Sequence, residues 1–354
     1  MRVLLVTTMR NEGANILDWV AYHRAIGVTD ILVYTNDCED DSPALLDALA
    51  ARGDVIHEPN PRKGDKPIQW QALNRASKHP AFEAADWVIS ADVDEYLTIH
   101  VGEGRIADLL AATPQAKGFA VPWRLFGNGG ETSFTGQPVP KRFTRAAPAD
   151  LIWPFRARSY KALWRNDGTF RKIGVHRPQS VDRARYDPRD WVDGSGTLVP
   201  HDITQGLLPA IRTPAPPYAL AQWSHYAVGT PEDFLIKAER GKPNKEAEAI
   251  GLEYWIDNNF CAEPDLSTAT RFALAGPLRA AYAADPSLSV LHADALAWRH
   301  TKLAALMEDE PTFRLYAALR QLPATTPLPP PQQARLWAQH VKLATRRRAA
   351  QGQT

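Results

Sequence analysis

The sequence predicts an α/β fold in which helices flank a mostly parallel, Rossmann-like sheet, with a helical extension at the C-terminus. Over the first 125 residues, apolar strand-like runs alternate with helical segments, the pattern of right-handed βαβ units. The first run, residues 3–6, is continuously apolar, as in a strand that is buried on both faces. From about residue 245 to 350 the apolar spacing becomes helical again, which predicts the extension.

The elements of the first 125 residues can be assigned in order. We predict strands at 30–35, 54–58, 87–91 and 117–123 after the first one, and helices at 15–26, 43–52 and 67–78. Gly27 and Gly53 follow two of these helices, as glycine often does in the left-handed residue that ends a helix. Ligands of a parallel sheet bind beyond the carboxyl ends of its strands. The segments at 7–13, 36–42, 59–66 and 92–95 should therefore carry the chemistry.

The rest of the chain is less regular. Residues 125–235 are rich in glycine, proline, tryptophan and arginine, which predicts loops and short strands that cover the site. We expect one main domain at 1–240, with halves at 1–125 and 126–240, followed by a helical region at 241–354. The run at 325–331 contains four prolines and is predicted to be a linker or a rigid extended stretch.

Composition limits the classes of partner. The chain has 354 residues, with 41 Lys and Arg against 40 Asp and Glu, so no basic surface for nucleic acid is expected. The basic run at 346–348 is interpreted as a solvated tail, with a membrane-surface contact as the alternative. Two cysteines, Cys38 and Cys261, are too few for a disulfide framework. The apolar run at 3–6 is too short for a signal sequence, and no stretch reaches the ~20 apolar residues of a membrane span. We expect a cytoplasmic protein whose oligomeric state is open.

The strongest motif is Asp92-Val93-Asp94-Glu95, directly after the apolar strand 87–91. Residues two apart in an extended chain point to the same face, so Asp92 and Asp94 can converge on one cation. Hard divalent ions prefer carboxylate oxygens, and an ion held in this way often binds substrate phosphates as well. An acidic turn is the alternative interpretation, but the position after a buried strand of the βα series favours a metal site.

Four segments together resemble glycosyltransferase family 2, which has the GT-A fold, and more closely its branch related to family 92. The segments are Asn11-Glu12 with Trp19, Tyr22-His23 and Gly27; the acidic stretch 35–42; the stretch 65–74; and Asp92-Val93-Asp94. Asn36 stands near the position where family 2 usually has a uracil-contacting aspartate. The resemblance covers roughly the first third of the chain well.

The resemblance implies a site for a nucleotide-sugar in the half 1–125 and for an acceptor in the half 126–240. It places the following residues around the nucleotide: Thr7, Arg10, Asn11, Glu12, Asn36, Asp40, Lys66 and Asp92. Asp92 would contact the ribose or the metal, and Asp94 would ligate Mn²⁺ or Mg²⁺. Glu12 could instead favour a helix N-terminus, and Lys66 could be a solvated charge. Trp19, Tyr22 and His23 are expected to pack rather than react.

Later segments resemble the family more loosely. A W…FG…G segment at 123–130 would approach the sugar, with a flexible hairpin as the alternative. The run from His225-Tyr226 through Phe234, Lys237 and Arg240-Gly241 resembles the HY…F…K…RG run of the family. We therefore expect His225 to complete the metal shell, with His201 as second choice and His176 as a further candidate. Lys172, Lys237 and Arg240 could neutralise the diphosphate, although each could also be an ordinary surface charge.

The sequence thus predicts a metal-dependent glycosyltransferase that moves a sugar from a nucleotide-sugar to a hydroxyl of a carbohydrate or glycoconjugate acceptor. UDP as the carrier and inversion at the anomeric carbon are implied by the resemblance. Such a reaction also needs a general base, for which the candidates are Glu131, Asp150 and Asp233. The alternatives are a nucleotidyltransferase and a non-catalytic carbohydrate- or nucleotide-binding protein on the same fold.

Overall fold

The computed structural model of the protein describes residues 1–205, 210–241 and 250–350. Its strands are β1 (Val3–Met9), β2 (Asp30–Thr35), β3 (Ile56–Pro59), β4 (Trp87–Ser90), β5 (Glu95–Ile99), β6 (Gly118–Leu125), β7 (Arg145–Ala146), β8 (Tyr160–Arg165), β9 (Phe170–Lys172), β10 (Gln179–Val181), β11 (Trp191–Asp193), β12 (Ala221–His225) and β13 (Glu263–Pro264).

The helices of the same residues lie between and after these strands. They are α1 (Gly13–Ala25), α2 (Ser42–Ala51), α3 (Ile68–Ala76), α4 (Pro80–Glu83), α5 (Ile106–Ala112), α6 (Val139–Arg142), α7 (Pro231–Arg240), α8 (Leu252–Asn258), α9 (Ser267–Arg271), α10 (Gly276–Ala283), α11 (Pro286–Met307), α12 (Glu310–Gln321) and α13 (Pro330–Ala350). Two short 3₁₀ turns cover Pro188–Asp190 and Phe272–Ala275.

One large sheet organises the described chain, in the order β3-β2-β1-β4-β8-β6-β12-β5, with β11 beside β6. The strands β3, β2, β1 and β4 are all parallel. Beyond them β8 runs antiparallel to both β4 and β6, and β5 runs antiparallel to β12. The predicted α/β class with a mostly parallel sheet is confirmed. The carboxyl ends of β1, β2 and β4 lie at one edge of the sheet, where the site is expected.

Strand β1 shows why this sequence folds in this way. Its side chains alternate between two apolar clusters, since Val3 and Leu5 pack on one face with Ile16 and Trp19 of α1. On the other face, Leu4 and Val6 pack with Ala72, Leu73 and other residues of α3. A strand that is covered by helices on both sides needs apolar residues at every position, which is the pattern of residues 3–6.

The predicted elements of the first 125 residues are confirmed with shifted ends. The helix expected at 67–78 covers Ile68–Ala76, and the strand expected at 54–58 covers Ile56–Pro59. Gly27 and Gly53 have φ of 108° and 79°, which are left-handed values that favour glycine. Strand β5 was not predicted, because it begins at Glu95 only four residues after β4 ends.

The C-terminal helices pack against the sheet domain. Helices α10 and α11 contact α1, and α11 and α12 contact α7. Leu288 of α11 belongs to the same buried cluster as Trp19 of α1. The proline run at 325–331 has no regular secondary structure up to residue 329, and its last two residues are the first two of α13, which begins at Pro330. Parts of the predicted region 241–354, namely residues 242–249 and 351–354, lie outside the described residues, as does the side chain of Arg348 in the basic run.

Two further expectations concern the chain as a whole. Cys38 and Cys261 are free thiols. In the described part of the chain, no helix combines the length and the apolar character needed to cross a bilayer.

Candidate functional site

The acidic motif lies in the turn between β4 and β5, at the carboxyl edge of the sheet. Because β4 ends at Ser90 and β5 begins at Glu95, Asp92 and Asp94 both belong to this turn. They face a cleft with a volume of about 390 Å³. The cleft is also lined from β1, β6, β12 and α7, by residues that include Thr8, Trp123, His225 and Lys237.

Asp92 is held by two side chains from different elements. Gln69 Nε2, in α3, donates to Asp92 Oδ1 at 3.0 Å. Lys161 Nζ, in β8, donates to Asp92 Oδ2 at 2.9 Å. Lys161 itself is 0% exposed. Its carboxylate partners outweigh the lowering effect of burial, so that the pKa of Lys161 is raised above its usual value.

Glu95 accepts a hydrogen bond from the backbone of Asp92 and so stabilises the turn. It is 0% exposed and accepts hydrogen bonds from Trp123 Nε1 and from the backbone N–H of Asp92, both at 2.8 Å. Lys161 Nζ lies 3.3 Å from Glu95 Oε2. Burial raises the pKa of Glu95 to about 8 against the lowering effect of Lys161. These contacts fix the turn and the ring of Trp123 relative to each other.

Asp94 faces a second lysine and a histidine. Lys237 Nζ donates to Asp94 Oδ2 at 2.6 Å, and His225 Nε2 lies 3.8 Å from the same oxygen. Burial alone would raise the pKa of Asp94, but Lys237 and His225 lower it well below its usual value. Asp94 is therefore an anion at neutral pH.

His225 is neutral and has a free ring nitrogen. Burial lowers its pKa to about 4 in spite of the nearby Asp94. Its ring centroid lies 4.2 Å from that of Trp123. Among the described residues, no hydrogen-bond partner reaches the buried His225 Nδ1, but the ring nitrogen that lies near Asp94, at 3.8 Å from Oδ2, is Nε2. A neutral imidazole next to a carboxylate is a suitable ligand pair for a divalent cation.

Helix α7 brings two cations to the cleft. Its first turn is stabilised by a capping box, in which Thr230 Oγ1 accepts from Asp233 N at 3.1 Å and Asp233 Oδ2 accepts from Thr230 N at 3.0 Å. The helix then presents Lys237 and Arg240 at its C-terminal end. Arg240 pairs with Glu12 and donates to the carbonyl of Arg10 at 2.9 Å. Segments 230 residues apart thus meet at the cleft.

The residues present fit a divalent cation at Asp94 and His225. In the described residues, no group of three His, Cys, Asp or Glu side chains is arranged for a metal ion. Magnesium-type sites, however, often use only one or two protein ligands together with substrate phosphates. No hydrogen bond reaches Asp94 Oδ1 from the described residues. Both oxygens of Asp92 are engaged by Gln69 and Lys161, so the contacts favour a positioning role for Asp92.

Four residues that the resemblance placed around a nucleotide do line the cleft, namely Arg10, Glu12, Asn36 and Asp92, and so does the predicted metal ligand Asp94. Asn11 lies beside them and lines a neighbouring smaller pocket. Three others are engaged elsewhere or lie outside the cleft residues. Thr7 is buried within β1. Asp40 accepts from Gly13 N at 2.9 Å, at the start of α1. Lys66 is in an exposed loop.

The candidate bases are not together at the cleft. Glu131 and Asp150 are exposed, and the cleft residues in the described chain do not include either of them. Asp233 lines the smaller pocket. Its oxygens are engaged, because besides the capping box it accepts from Arg299 Nη2 at 2.7 Å. These contacts make Asp233 a residue that holds α7 in place.

Of the other predicted side chains, some line the cleft and others lie outside it. His176 lines the cleft, but its Nδ1 lies 3.0 Å from the carbonyl oxygen of Tyr160. His201 and Lys172 are not among the cleft residues of the described chain. His23 packs between Trp19 and Tyr22 as expected.

Sequence reasoning missed Lys161, which holds both Asp92 and Glu95. The only local signal is a lysine within the apolar strand Tyr160–Arg165. A lysine with no exposure in a central strand needs carboxylate partners, and only the folded sheet shows which ones they are.

Known proteins resemble the chain in sequence and in structure. The sequence model of glycosyltransferase family 92 matches residues 6–212. A glycosyltransferase family 92 protein of Ricinus communis is 30% identical over 103 residues, which are 28% of this chain and 17% of that protein's length.

Among solved structures, S. aureus TarS 1–349 has a TM-score of 0.29 and 10% identity, with 47% of each chain covered. Glucosyl-3-phosphoglycerate synthase of Mycobacterium tuberculosis, in complex with Mn²⁺, UDP and glucosyl-3-phosphoglycerate, has a TM-score of 0.23 and 18% identity. That match covers 35% of this chain and 44% of the other.

The family match covers more than half of the chain and includes the cleft residues from Thr8 to His176. The expected relation to family 92 is thereby confirmed, whereas membership of family 2 stays an expectation. The chain belongs to glycosyltransferase family 92.

Proposed function

We propose that the protein transfers a sugar from UDP to an acceptor hydroxyl, with a divalent cation held by Asp94 and His225. The observation that carries this proposal is the arrangement of charge at the carboxyl edge of the sheet. There the acidic turn Asp92–Asp94 meets the cations Lys237 and Arg240 in one cleft. A diphosphate with a bound cation is the ligand that this mixture of charges suits.

The base and ribose would lie over the ends of β1 and β2. Arg10, Asn36 and Asp37 line this side of the cleft. Asp92, which Gln69 and Lys161 hold in place, is then oriented to accept hydrogen bonds from ribose hydroxyls. UDP as the carrier rests on the resemblance to the family.

The diphosphate would lie near α7. Lys237 pairs with Asp94 and its Nζ also donates to the carbonyl of Ala227 at 2.6 Å. Arg240 completes this side through its contact with Glu12. A cation at Asp94 and His225 supplies a charge that stabilises the leaving diphosphate. Lys237 and Arg240 act in the same direction, because the negative charge on the leaving group grows as the glycosidic bond stretches.

We further propose direct displacement with inversion at the anomeric carbon, as the resemblance implies. An acceptor hydroxyl attacks that carbon while a carboxylate accepts its proton. In the described residues, the carboxylates that line the cleft are Glu12, Asp37, Asp92 and Asp94. Glu131, Asp150 and Asp233 are therefore less well placed as the base than the sequence suggests.

Slow hydrolysis of the donor tests the proposal without knowledge of the acceptor. UDP release should be followed with a panel of UDP-sugars and their GDP counterparts, with Mn²⁺ present. We expect UDP release from at least one donor, and its loss in Asp94→Asn. Asp294→Asn, at an exposed position of α11, is the matched control. Release from GDP-sugars alone would contradict the proposed carrier, and equal rates in both variants would contradict the proposed site.

A further inference from the structure

A second, smaller pocket lies next to the cleft. Its volume is about 70 Å³, enough for on the order of five water molecules but not for a nucleotide. Glu12, Asp94, Lys237 and Arg240 line both spaces, so their paired side chains form the wall between them. Only these side chains would separate a group bound in the pocket from the proposed reaction centre.

Hydrogen-bond donors without a partner are concentrated in this pocket. Three of its lining side chains carry a buried N–H group with no partner among the described residues: Asn11 Nδ2, Arg142 Nε and Arg299 Nε. Asn11 and Arg299 are 2% and 7% exposed, and the side chain of Arg142 is 4% exposed. Buried polar groups are almost always paired, so a ligand or water must satisfy these donors.

The contacts of the same side chains fix their orientation. Asn11 Oδ1 accepts from the backbone N–H of Glu39 at 2.7 Å, which leaves Nδ2 as the free end of that amide. Arg299 Nη2 donates to Asp233 Oδ1 at 2.7 Å, and Arg142 Nη1 lies 3.9 Å from Asp233 Oδ2. The two guanidinium groups therefore converge on one carboxylate and stand against the rings of Phe143 and Phe134.

The free donors of the pocket favour an anion. Its lining has four cations, Arg142, Lys237, Arg240 and Arg299, against the three carboxylates Glu12, Asp94 and Asp233. Glu131, outside these lining residues, pairs with Arg142 at 3.2 Å and balances the fourth cation, so the case for an anion rests on the unpartnered donors. The three unpartnered nitrogen atoms can only donate, whereas the hydroxyl of Tyr226, which also lines the pocket without a partner among the described residues, can donate or accept. Guanidinium groups bind carboxylates and phosphates better than neutral hydroxyls because the hydrogen bonds are charge-assisted.

We propose that this pocket is the acceptor subsite and that it binds an anionic group, a carboxylate or a phosphate, of the acceptor. The assignment as an acceptor subsite rests on the proposed transferase function. The anion binding itself rests on Asn11, Arg142 and Arg299 alone. An acceptor of this class would be a uronic acid, another sugar acid or a phosphorylated polyol.

Two matched ligand pairs test the proposal on the full chain, with UDP and Mn²⁺ present at saturating concentration. Methyl glucuronide is compared with methyl glucoside, and glycerol 3-phosphate with glycerol, by calorimetric titration. We expect the anionic member of at least one pair to bind at least tenfold more tightly than its neutral partner. Whichever anion binds identifies the source as a carboxylate or a phosphate.

Substitutions at the rim of the pocket locate the binding. Gln137 is exposed and lines the pocket, so a charge there should be tolerated by the fold. Gln137→Glu should weaken binding of the anion at least tenfold, and Gln137→Lys should tighten it. Gln115→Glu is the control, because Gln115 lies in the exposed turn before β6 and is not among the residues that line the pocket. This variant adds the same charge away from the pocket and should leave the affinity for the anion unchanged.

The outcomes separate the two proposals. Equal binding of the neutral and anionic members, no binding of any of the four, or the same affinity in all three variants would overturn the anion site. Binding of an anion by a protein that fails to bind UDP would contradict the transferase site while it supports the pocket.

Discussion

Lys161 holds the acidic turn from the neighbouring strand β8. It has no exposed surface and contacts Asp92 and Glu95 at 2.9 and 3.3 Å. Removal of one partner from a buried ionic cluster leaves an uncompensated charge. Lys161→Met should therefore lower the free energy of unfolding by about 3 kcal/mol, as measured by urea denaturation at pH 7.

The control is an ion pair at the surface. Lys117 forms a pair with Asp190 at 2.7 Å, but its side chain is 44% exposed. Exposed pairs contribute about 0–1 kcal/mol, so Lys117→Met should cost far less. Similar losses in the two variants would show that the buried cluster does not hold the turn.

Lys237 should contribute to nucleotide binding. Because it lines the cleft beside Asp94, Lys237→Met should weaken the binding of UDP about tenfold, or about 1.4 kcal/mol. Lys237→Arg should retain part of the affinity. Lys172→Met is the control, since Lys172 is exposed and lies outside the cleft residues. An equal effect at Lys172 would mean that the charge acts at long range rather than in the cleft.

At the level of elements, the start of α7 is stabilised by a local capping box, and the end of the same helix carries side chains of the site. Thr230→Val removes the hydroxyl that accepts from Asp233 N and donates to Asp233 Oδ2, which should cost about 1 kcal/mol of stability. Because α7 carries Lys237 and Arg240, the affinity for UDP should fall as well. Both quantities can be measured by denaturation and calorimetry on the same sample.

Thr301→Val provides the comparison for this prediction. Thr301 is an exposed residue within α11, away from a helix start. The substitution Thr301→Val should change stability and UDP affinity much less than Thr230→Val does. If Thr230→Val lowers stability but leaves the affinity for UDP unchanged, the position of α7 does not control the cleft.

The elements also show what the sequence can and cannot predict. Strand β4 and the turn that follows it were predicted, because an apolar run followed by acidic residues is a local pattern. The capping of α7 by Thr230 and Asp233 is equally local, yet the sequence makes Asp233 only one of three candidate bases. Its contact with Arg299 joins residues 66 positions apart, and no local pattern indicates it. Lys161 was missed for the same reason, because its partners lie far away in the sequence, Asp92 in the turn after β4 and Glu95 at the start of β5.

At the scale of the whole molecule, buried histidines make the fold sensitive to acid. His23 is 0% exposed, and burial lowers its pKa to about 3. An unfolded histidine has a pKa of about 6.5, so the unfolded chain binds the extra proton as the pH falls below that value. Stability should therefore decrease from pH 7 to pH 5, by on the order of 1–2 kcal/mol from His23.

His23→Phe isolates this contribution. The variant should lose less free energy of unfolding between pH 7 and pH 5 than the unmodified protein, although His176 and His225 still contribute to the loss. His300 is exposed, and His300→Phe should leave the difference between the two pH values unchanged. A pH dependence that is identical in the His23 variant would mean that this residue does not couple folding to protons.

The sequence predicts a larger part of the fold than of the site. The order of βα units placed Asp92, Asn36 and Arg10 at one edge of a sheet, because parallel strands share their carboxyl ends. The approach of α7 and α11 to that edge depends on packing between the two ends of the chain, as in the contact of Arg240 with Glu12. Patterns within a short stretch of sequence do not contain such contacts.

The most direct test of the central claim is a calorimetric titration of UDP with and without Mn²⁺, on the unmodified protein, Asp94→Ala and the control Asp294→Ala. We predict binding that requires Mn²⁺, that is lost in Asp94→Ala and that persists in Asp294→Ala. Binding of UDP that is equally tight in the presence of a chelator would show that Lys237 and Arg240 suffice without a cation. No binding under any of these conditions would contradict the proposed nucleotide-sugar site.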